Sequence, residues 1–219
     1  MGQEIDMMRL YPKGKSRIGT RPDISEEDRR ISKQFGFEYF DGDRRYGYGG
    51  FNYHPRFWTD TVALFRDHYR LAENASILDI GCAKGFMLTD FKKLMPKAKL
   101  AGIDLSAYAV EHAYPEVKDL IKVGDARHLP FPDKSFDLII AINTLHNLKR
   151  PDCIAALREV QRVTRGSAFV MVDGWHNDAE AAAMREWVLT AETMMHADEW
   201  RELFAEAGYT GDYFFWTVS

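Results

Sequence analysis

The sequence predicts an α/β fold, a mostly parallel sheet with helices on both faces. Two observations carry it. Short apolar runs alternate five times with stretches of helical periodicity, and that order specifies parallel strands joined by helical crossovers. The runs are also continuously apolar instead of alternating, the pattern of strands covered on both sides.

The first strand is Ile77, Leu78 and Ile80, closed by Asp79 to Gly81. Gly81, Ala83 and Gly85 follow, and Phe86, Leu88, Phe91 and Leu94 then repeat at helical spacing. A strand that breaks into small residues before a helix lets bare backbone approach a ligand. A Gly-rich turn alone is equally an ordinary strand-to-helix connection. The second strand, 100–103, closes on Asp104, and Ser106 caps a helix that runs to about Ala113, before Pro115. A third short strand spans 120–123 and leads to Gly124, Asp125 and Ala126. The run 136–142 suits a central strand. A helix follows over 151–163, with Ile154, Leu157, Val160 and Val163 on one side. A fifth strand, 168–172, ends at Asp173-Gly174-Trp175-His176. Helices are expected over 178–196 and 198–207, with Gly208 as the stop. The last strand is 213–218.

Ahead of this core, 55–71 reads as a helix and a shorter one starts at Ser25. Residues 1–22 read as a flexible arm. Residues 35–58 carry ten aromatic side chains, five glycines and three arginines, with no helical or strand period over 41–50. They read as an ordered loop that caps a ligand site, the alternative being a flap that only packs on the sheet edge. The chain accordingly divides into 1–54, an arm and cap, and 55–219, the core domain.

With 219 residues, 46% hydrophobic and 28% charged, the chain can build one full core. A net charge of −4 gives no electrostatic case for nucleic acid. Cys82 and Cys153 are too few for a disulfide framework and suggest a reducing compartment. No apolar stretch is long enough to span a membrane, and the first ten residues do not form a signal peptide, so a cytoplasmic location is expected. No Cys, His and acid cluster has metal-ligand spacing.

Parallel α/β sheets bind ligands at the carboxyl ends of their strands. That rule gathers 79–85, Asp104, Asp125, 143–147 and 173–176 on one rim. An acid about 20 residues past the turn, here Asp104, suits a ribose diol. The Gly81-x-Ala83-x-Gly85 spacing differs from the dinucleotide pattern, and an acid at 125 suits an amino group of adenine.

Asp79-x-Gly81-x-Ala83-x-Gly85, Gly102-Ile103-Asp104-Leu105-Ser106, Gly124-Asp125-Ala126 and Ser135-Phe136-Asp137-Leu138-Ile139, in that order, resemble the motifs of class I S-adenosylmethionine-dependent methyltransferases. The resemblance covers roughly residues 55–210 and implies a Rossmann-like sheet with a short antiparallel C-terminal end. It implies S-adenosylmethionine as cofactor and S-adenosylhomocysteine as product. It places Asp79, Gly81, Ala83 and Gly85 at the methionine part, Asp104 at the ribose, and Asp125 and Ala126 at the adenine, with Leu105 and Asn143 on the same cofactor rim. Ala83 replaces the family's middle glycine, and the chain offers one final strand where the family usually has two.

An N or O nucleophile on a small-molecule acceptor must also lose a proton, and the candidates to receive it are His146, Asp173 and His176. Each is equally readable as a hydrogen-bonded rim residue. Arg44, Arg45, Tyr46, Tyr48, Tyr53 and Trp175 are the candidates for the acceptor pocket. Lys84 reads as a solvated side chain. Two rival readings stay open: a non-catalytic nucleoside-binding partner subunit of the same fold, and a nicotinamide-dependent oxidoreductase. The strand at 213–218 is apolar on both faces, so something should cover its edge. Either the N-terminal segment or a second copy would do so, and a homodimer is the preferred expectation.

Overall fold

The computed structural model describes residues 2–12 and 24–218. Met1 and the stretch 13–22 of the expected flexible arm lie outside the described residues.

The core strands are β1 (Ser76–Ile80), β2 (Lys99–Asp104), β3 (Ile121–Val123), β4 (Phe136–Ile142) and β5 (Thr164–Trp175). Two more follow, β6 (Met195–His196) and β7 (Asp212–Trp216). They form one sheet in the order β3-β2-β1-β4-β5-β6, with β7 also paired to β5. Every paired strand runs parallel to its neighbour. The expected antiparallel end is therefore replaced. Two helices and the short β6 separate β5 from β7, and β7 lies parallel against β5 from Phe169 opposite Asp212 to Asp173 opposite Trp216.

The helices are α1 (Glu26–Ser32), α2 (Phe37–Phe40), α3 (Thr59–His68), α4 (Phe86–Leu94), α5 (Ala107–Glu111), α6 (Arg150–Val163), α7 (Asp178–Trp187) and α8 (Ala197–Ala207). Alternate strand residues feed opposite faces of the sheet. Ile77, Leu138, Ile140, Phe169 and Met171 pack with Val62 and Phe65 of α3 and Phe91 of α4. Leu78, Ile80, Ile139, Val170 and Val172 pack with Leu157 and Val160 of α6 and Trp200 and Phe204 of α8. Cys82 and Cys153 are buried and unbonded. No helix among the described residues is long and apolar enough to cross a membrane.

Two departures from the sequence reading shape the site. The helix expected over 178–196 stops at Trp187, where Val188 turns extended, and beyond it the N–H groups of Glu192 and Thr193 bond the carbonyl of His146. The N-terminal segment, expected to be flexible, is docked over 2–12. Ile5 donates to the Tyr213 carbonyl, Tyr213 donates to Gln3, and Met7 is fully buried. That segment covers part of the outer edge of β7.

Candidate active site

The chain runs outward from β1 through β2 to β3 and returns to β4 on the other side of β1, so the strand order reverses between β1 and β4. That crevice is where ligands sit in open α/β sheets. Gly81, Ala83 and Gly85 line its start, all with left-handed backbone at φ 75°, 48° and 78°. For Gly81 and Gly85 the reason for glycine is crowding as well as conformation. A Cβ on Gly81 would stand 2.0 Å from the Thr144 hydroxyl, and one on Gly85 2.3 Å from Ile121. The turn is stitched to β2: Gly81 and Cys82 donate to the Ile103 carbonyl, and Ala83 donates to Asp104 Oδ2 at 2.7 Å. Asp104 Oδ1 takes the Ser106 N–H at 2.8 Å, and Ser106 in turn caps α5.

Ala83 is the one residue of the three with a side chain, and left-handed backbone is costly for a branched one. Ala83→Val is expected to lower unfolding stability by about 1–2 kcal/mol and to weaken S-adenosylhomocysteine binding more than that loss explains. Thermal melting with and without the nucleoside measures both, and normal affinity in the folded variant would remove the turn from the site.

Asp79 sits at the end of β1, 4% exposed, opposite Gly102 of β2. Its carboxyl accepts no hydrogen bond from any described residue, and burial, reinforced by the charge of Asp104, pushes its pKa well up. Burial also raises Asp104, against the two N–H groups that hold its charged form. Two adjacent carboxyls with a raised proton affinity, Asp79 buried and Asp104 half-buried, form a place that favours a cation or a donor-rich ligand. Leu105 beside them is 60% exposed, an apolar surface at the mouth of the crevice.

Asp125 is placed differently from a free acceptor. Arg127 holds both of its oxygens and also pairs with Asp152, and that guanidinium keeps the Asp125 pKa below its usual value. Ala126 is half-buried against the core. Asn143 ends β4 with left-handed backbone at φ 52° and an exposed side chain.

His146 and Asp173 are brought together and buried, at 3% and 4% exposure. The Asp173 N–H donates to His146 Nδ1 at 2.9 Å, which puts the neutral ring's proton on Nε2, 3.5 Å from Asp173 Oδ2. Burial lowers the His146 pKa to about 3 and raises that of Asp173 to about 8. His176 is separated from this pair. It is partly exposed beside Glu180 and Glu4 of the docked N-terminal segment. Asn147, at the end of the 143–147 rim, donates to the Asn143 carbonyl and keeps a buried Oδ1 with no partner among the described residues. Among the described residues no group of three His, Cys, Asp or Glu side chains could hold a metal ion.

The aromatic segment spans the crevice. Phe51 stacks on Phe86 at 4.7 Å and Phe40 on Tyr108 at 6.2 Å. Tyr53 donates to Asp90 and receives a hydrogen bond from Lys93. Tyr48 packs on Phe40 and Phe51. The N–H of Tyr46 bonds Asp43 within the loop. Arg44 bonds the Gly47 carbonyl and lies over Trp187 of α7 at 5.8 Å. Arg45 pairs with Asp28 of α1, and that pairing holds the Asp28 carboxyl far below its usual range. Trp175 is half-buried beneath Arg185, 5.2 Å from the ring centre. Lys84, expected to be solvated, is buried. It bonds both oxygens of Asp41 and the carbonyl of Phe51.

Residues 77–167 match the model of a methyltransferase domain family. That stretch is a methyltransferase domain. Relatives of this methyltransferase domain include a demethylmenaquinone methyltransferase of Roseiflexus sp. (strain RS-1). It is 38% identical over 42% of this chain and 40% of its own length. The 27-O-demethylrifamycin SV methyltransferase of Amycolatopsis mediterranei is 27% identical over 73% of this chain and 66% of its own. The chain spans less than half the length of the first curated relatives it matches, 40%, 37% and 44%. A chain in the complex between the Haloferax volcanii Trm112 methyltransferase activator and a methyltransferase superposes with TM-score 0.55. It is 26% identical, over 68% of this chain and 66% of that one. The family's methyl donor is S-adenosylmethionine.

Proposed function

We propose that the protein transfers the methyl group of S-adenosylmethionine to an N or O atom of a small-molecule acceptor. The observation that carries the reading is the buried Asp79 carboxyl. It accepts no hydrogen bond from any described residue, lies in the strand that leads into the left-handed turn and adjoins Asp104. S-adenosylmethionine is a cation that also carries an ammonium and a ribose diol, the groups this pair of acids would take. Asp79 binds the ammonium, Asp104 the diol, and Leu105 lies under the adenine. Gly81, Ala83 and Gly85 keep the turn low enough for the methionine part to pass. Asn143 borders the sulfonium side, and Ala126 closes the adenine edge. Asp125 supports that edge through Arg127.

The cofactor, when bound, supplies an activated methyl group. The chain's own residues position the acceptor and exclude water. Residues 35–54 form the cap and 55–218 the domain beneath it, while 2–12 dock on the edge of β7. Arg44 of the loop reaches α7 and Phe51 reaches α4, so the segment 41–51 roofs the crevice from the cofactor side to the acceptor side. Tyr46, Tyr48 and Trp175 border the acceptor space, while Tyr53 and Arg45 brace the roof through Asp90 and Asp28. His146 and Asp173 are too buried to touch an acceptor and hold the floor, with the segment at 192–193 bonded to the His146 backbone. His176, the exposed member of the three, is the one able to take a proton from solvent-accessible substrate. The relatives named as a demethylmenaquinone and a 27-O-demethylrifamycin SV methyltransferase support a small-molecule acceptor.

Calorimetry with S-adenosylhomocysteine and with NADH tests the cofactor. Micromolar binding of the first and none of the second is expected, and the reverse overturns the reading in favour of an oxidoreductase. Labelled S-adenosylmethionine incubated with phenolic, hydroxylated and amine acceptors tests the transfer. Stoichiometric nucleoside binding with no transfer to any acceptor class would point instead to a non-catalytic partner subunit.

A further inference from the structure

We propose that Lys84 is a positioning residue that clamps the segment 41–51 down over the cofactor crevice, so that the nucleoside leaves only when the clamp opens. The proposal rests on the methyl-transfer reading above. Lys84 lies inside the Gly81–Gly85 turn, yet its side chain runs away from the crevice and ends on the loop. Its ammonium meets Asp41 at 2.6 and 2.8 Å and the Phe51 carbonyl at 3.0 Å. The same carboxylate accepts the Tyr108 hydroxyl of α5 at 2.7 Å and the Phe51 N–H at 3.1 Å. One carboxylate on the loop therefore ties together the two walls of the crevice, the Gly-rich turn and the start of α5. Asp104 stands between those walls at the tip of β2, three residues before α5 begins.

Stability does not explain this arrangement. A cation beside the N-terminus of α4 opposes the helix dipole. A buried ion pair is seldom more stabilising than an apolar contact of the same volume. The surrounding positions already use apolar contact, Phe51 on Phe86 and Phe40 on Tyr108. What the ion pair adds is register. Both oxygens of Asp41 are engaged, so the loop has one seat on the turn. It also adds reversibility. Asp41 is only partly buried, so water can replace Lys84 when the loop lifts, which an aromatic plug would not permit.

Hydrogen exchange and stopped-flow release of S-adenosylhomocysteine from the full chain test the clamp. Lys84→Met is expected to raise amide exchange at 41–51 by about tenfold or more while β1 and β4 keep theirs. It is also expected to speed nucleoside release by about tenfold, with association little changed. Asp41→Asn should do the same. The double variant should be no worse than the worse single one, since both remove one interaction. Tyr108→Phe, which keeps the ring packing, should give a smaller effect of the same kind. Exchange at 41–51 unchanged in Lys84→Met and Tyr108→Phe overturns the clamp. So does exchange rising equally in β1 and β4, the mark of a residue that only supports folding. Nucleoside release at the wild-type rate from a loosened loop overturns the coupling. Failure of the wild-type chain to bind the nucleoside at all defeats the methyl-transfer reading, and the exchange data then judge the clamp alone.

Discussion

Replacing Asp104 by alanine is expected to weaken S-adenosylhomocysteine binding by about 10- to 100-fold, about 1.4–2.8 kcal/mol. Two losses add. The ribose hydroxyls lose a charged acceptor, and a charge-assisted hydrogen bond is roughly twice as strong as a neutral one. The N–H groups of Ala83 and Ser106 lose the carboxylate that holds them, so the turn and the start of α5 are no longer fixed relative to each other. Asp104→Asn separates the two, because its amide oxygen can still accept one N–H while the charge is gone. Calorimetry on both variants, with thermal melting as a control for folding, is the measurement. Wild-type affinity in Asp104→Ala would exclude Asp104 from the site, and an Asn variant as weak as the Ala variant would assign the effect to charge.

The second large effect is a pH dependence set by the buried pair at the floor. His146 has its pKa lowered by burial from 6.5 to about 3. Below 6.5 the unfolded chain binds a proton there that the folded chain refuses, so this residue makes stability rise with pH from about 3 to 6.5. Asp173 has its pKa raised by burial from 3.8 to about 8. The folded chain keeps a proton that the unfolded chain loses, so Asp173 makes stability fall as pH climbs from 3.8 to about 8. The two slopes oppose each other up to pH 6.5, and above it only the fall remains. At ~1.4 kcal/mol per pH unit for one proton, the loss between pH 6.5 and 8 approaches about 2 kcal/mol. Asp173→Asn mimics the protonated acid and should abolish that fall. Urea midpoints measured across this range for both proteins decide it, and parallel curves would mean that Asp173 is already ionised in the native state.

The sheet and the cofactor half of the site are written locally in the chain. Asp79, Gly81, Ala83 and Gly85 lie within seven consecutive positions, and Asp104 follows at the tip of the next apolar run. Their chemistry and their spacing are visible together. The features that sequence reading missed depend on long-range partners. Lys84 looks solvated until Asp41, 43 positions earlier, is folded onto it. The His146 and Asp173 side chains are 27 positions apart, and each alone is an ordinary rim residue. The helical spacing of Met184, Trp187, Ala191 and Met194 continues past the true end of α7. No periodicity signals that Glu192 and Thr193 will give their N–H groups to His146. The strand β6 is two residues long, too short to carry a pattern. The apolar content of β7 does not signal its parallel pairing with β5.

The stitch between the beginning of the chain and β7 imposes an order on assembly. Gln3 bonds Asp212, 209 positions away, and Met7 is sealed in the layer that also holds Phe65 and Phe169. On a ribosome moving at about 5–20 residues per second, that segment waits roughly 10–40 s for its partner strand to be made. Through that interval β1 to β4 can pair and bury their own side chains, while Ile5 and Met7 stay uncovered. The segment at 3–7 is thus made well before its partner strand yet settles only after it, and closing the sheet edge is a late event in folding.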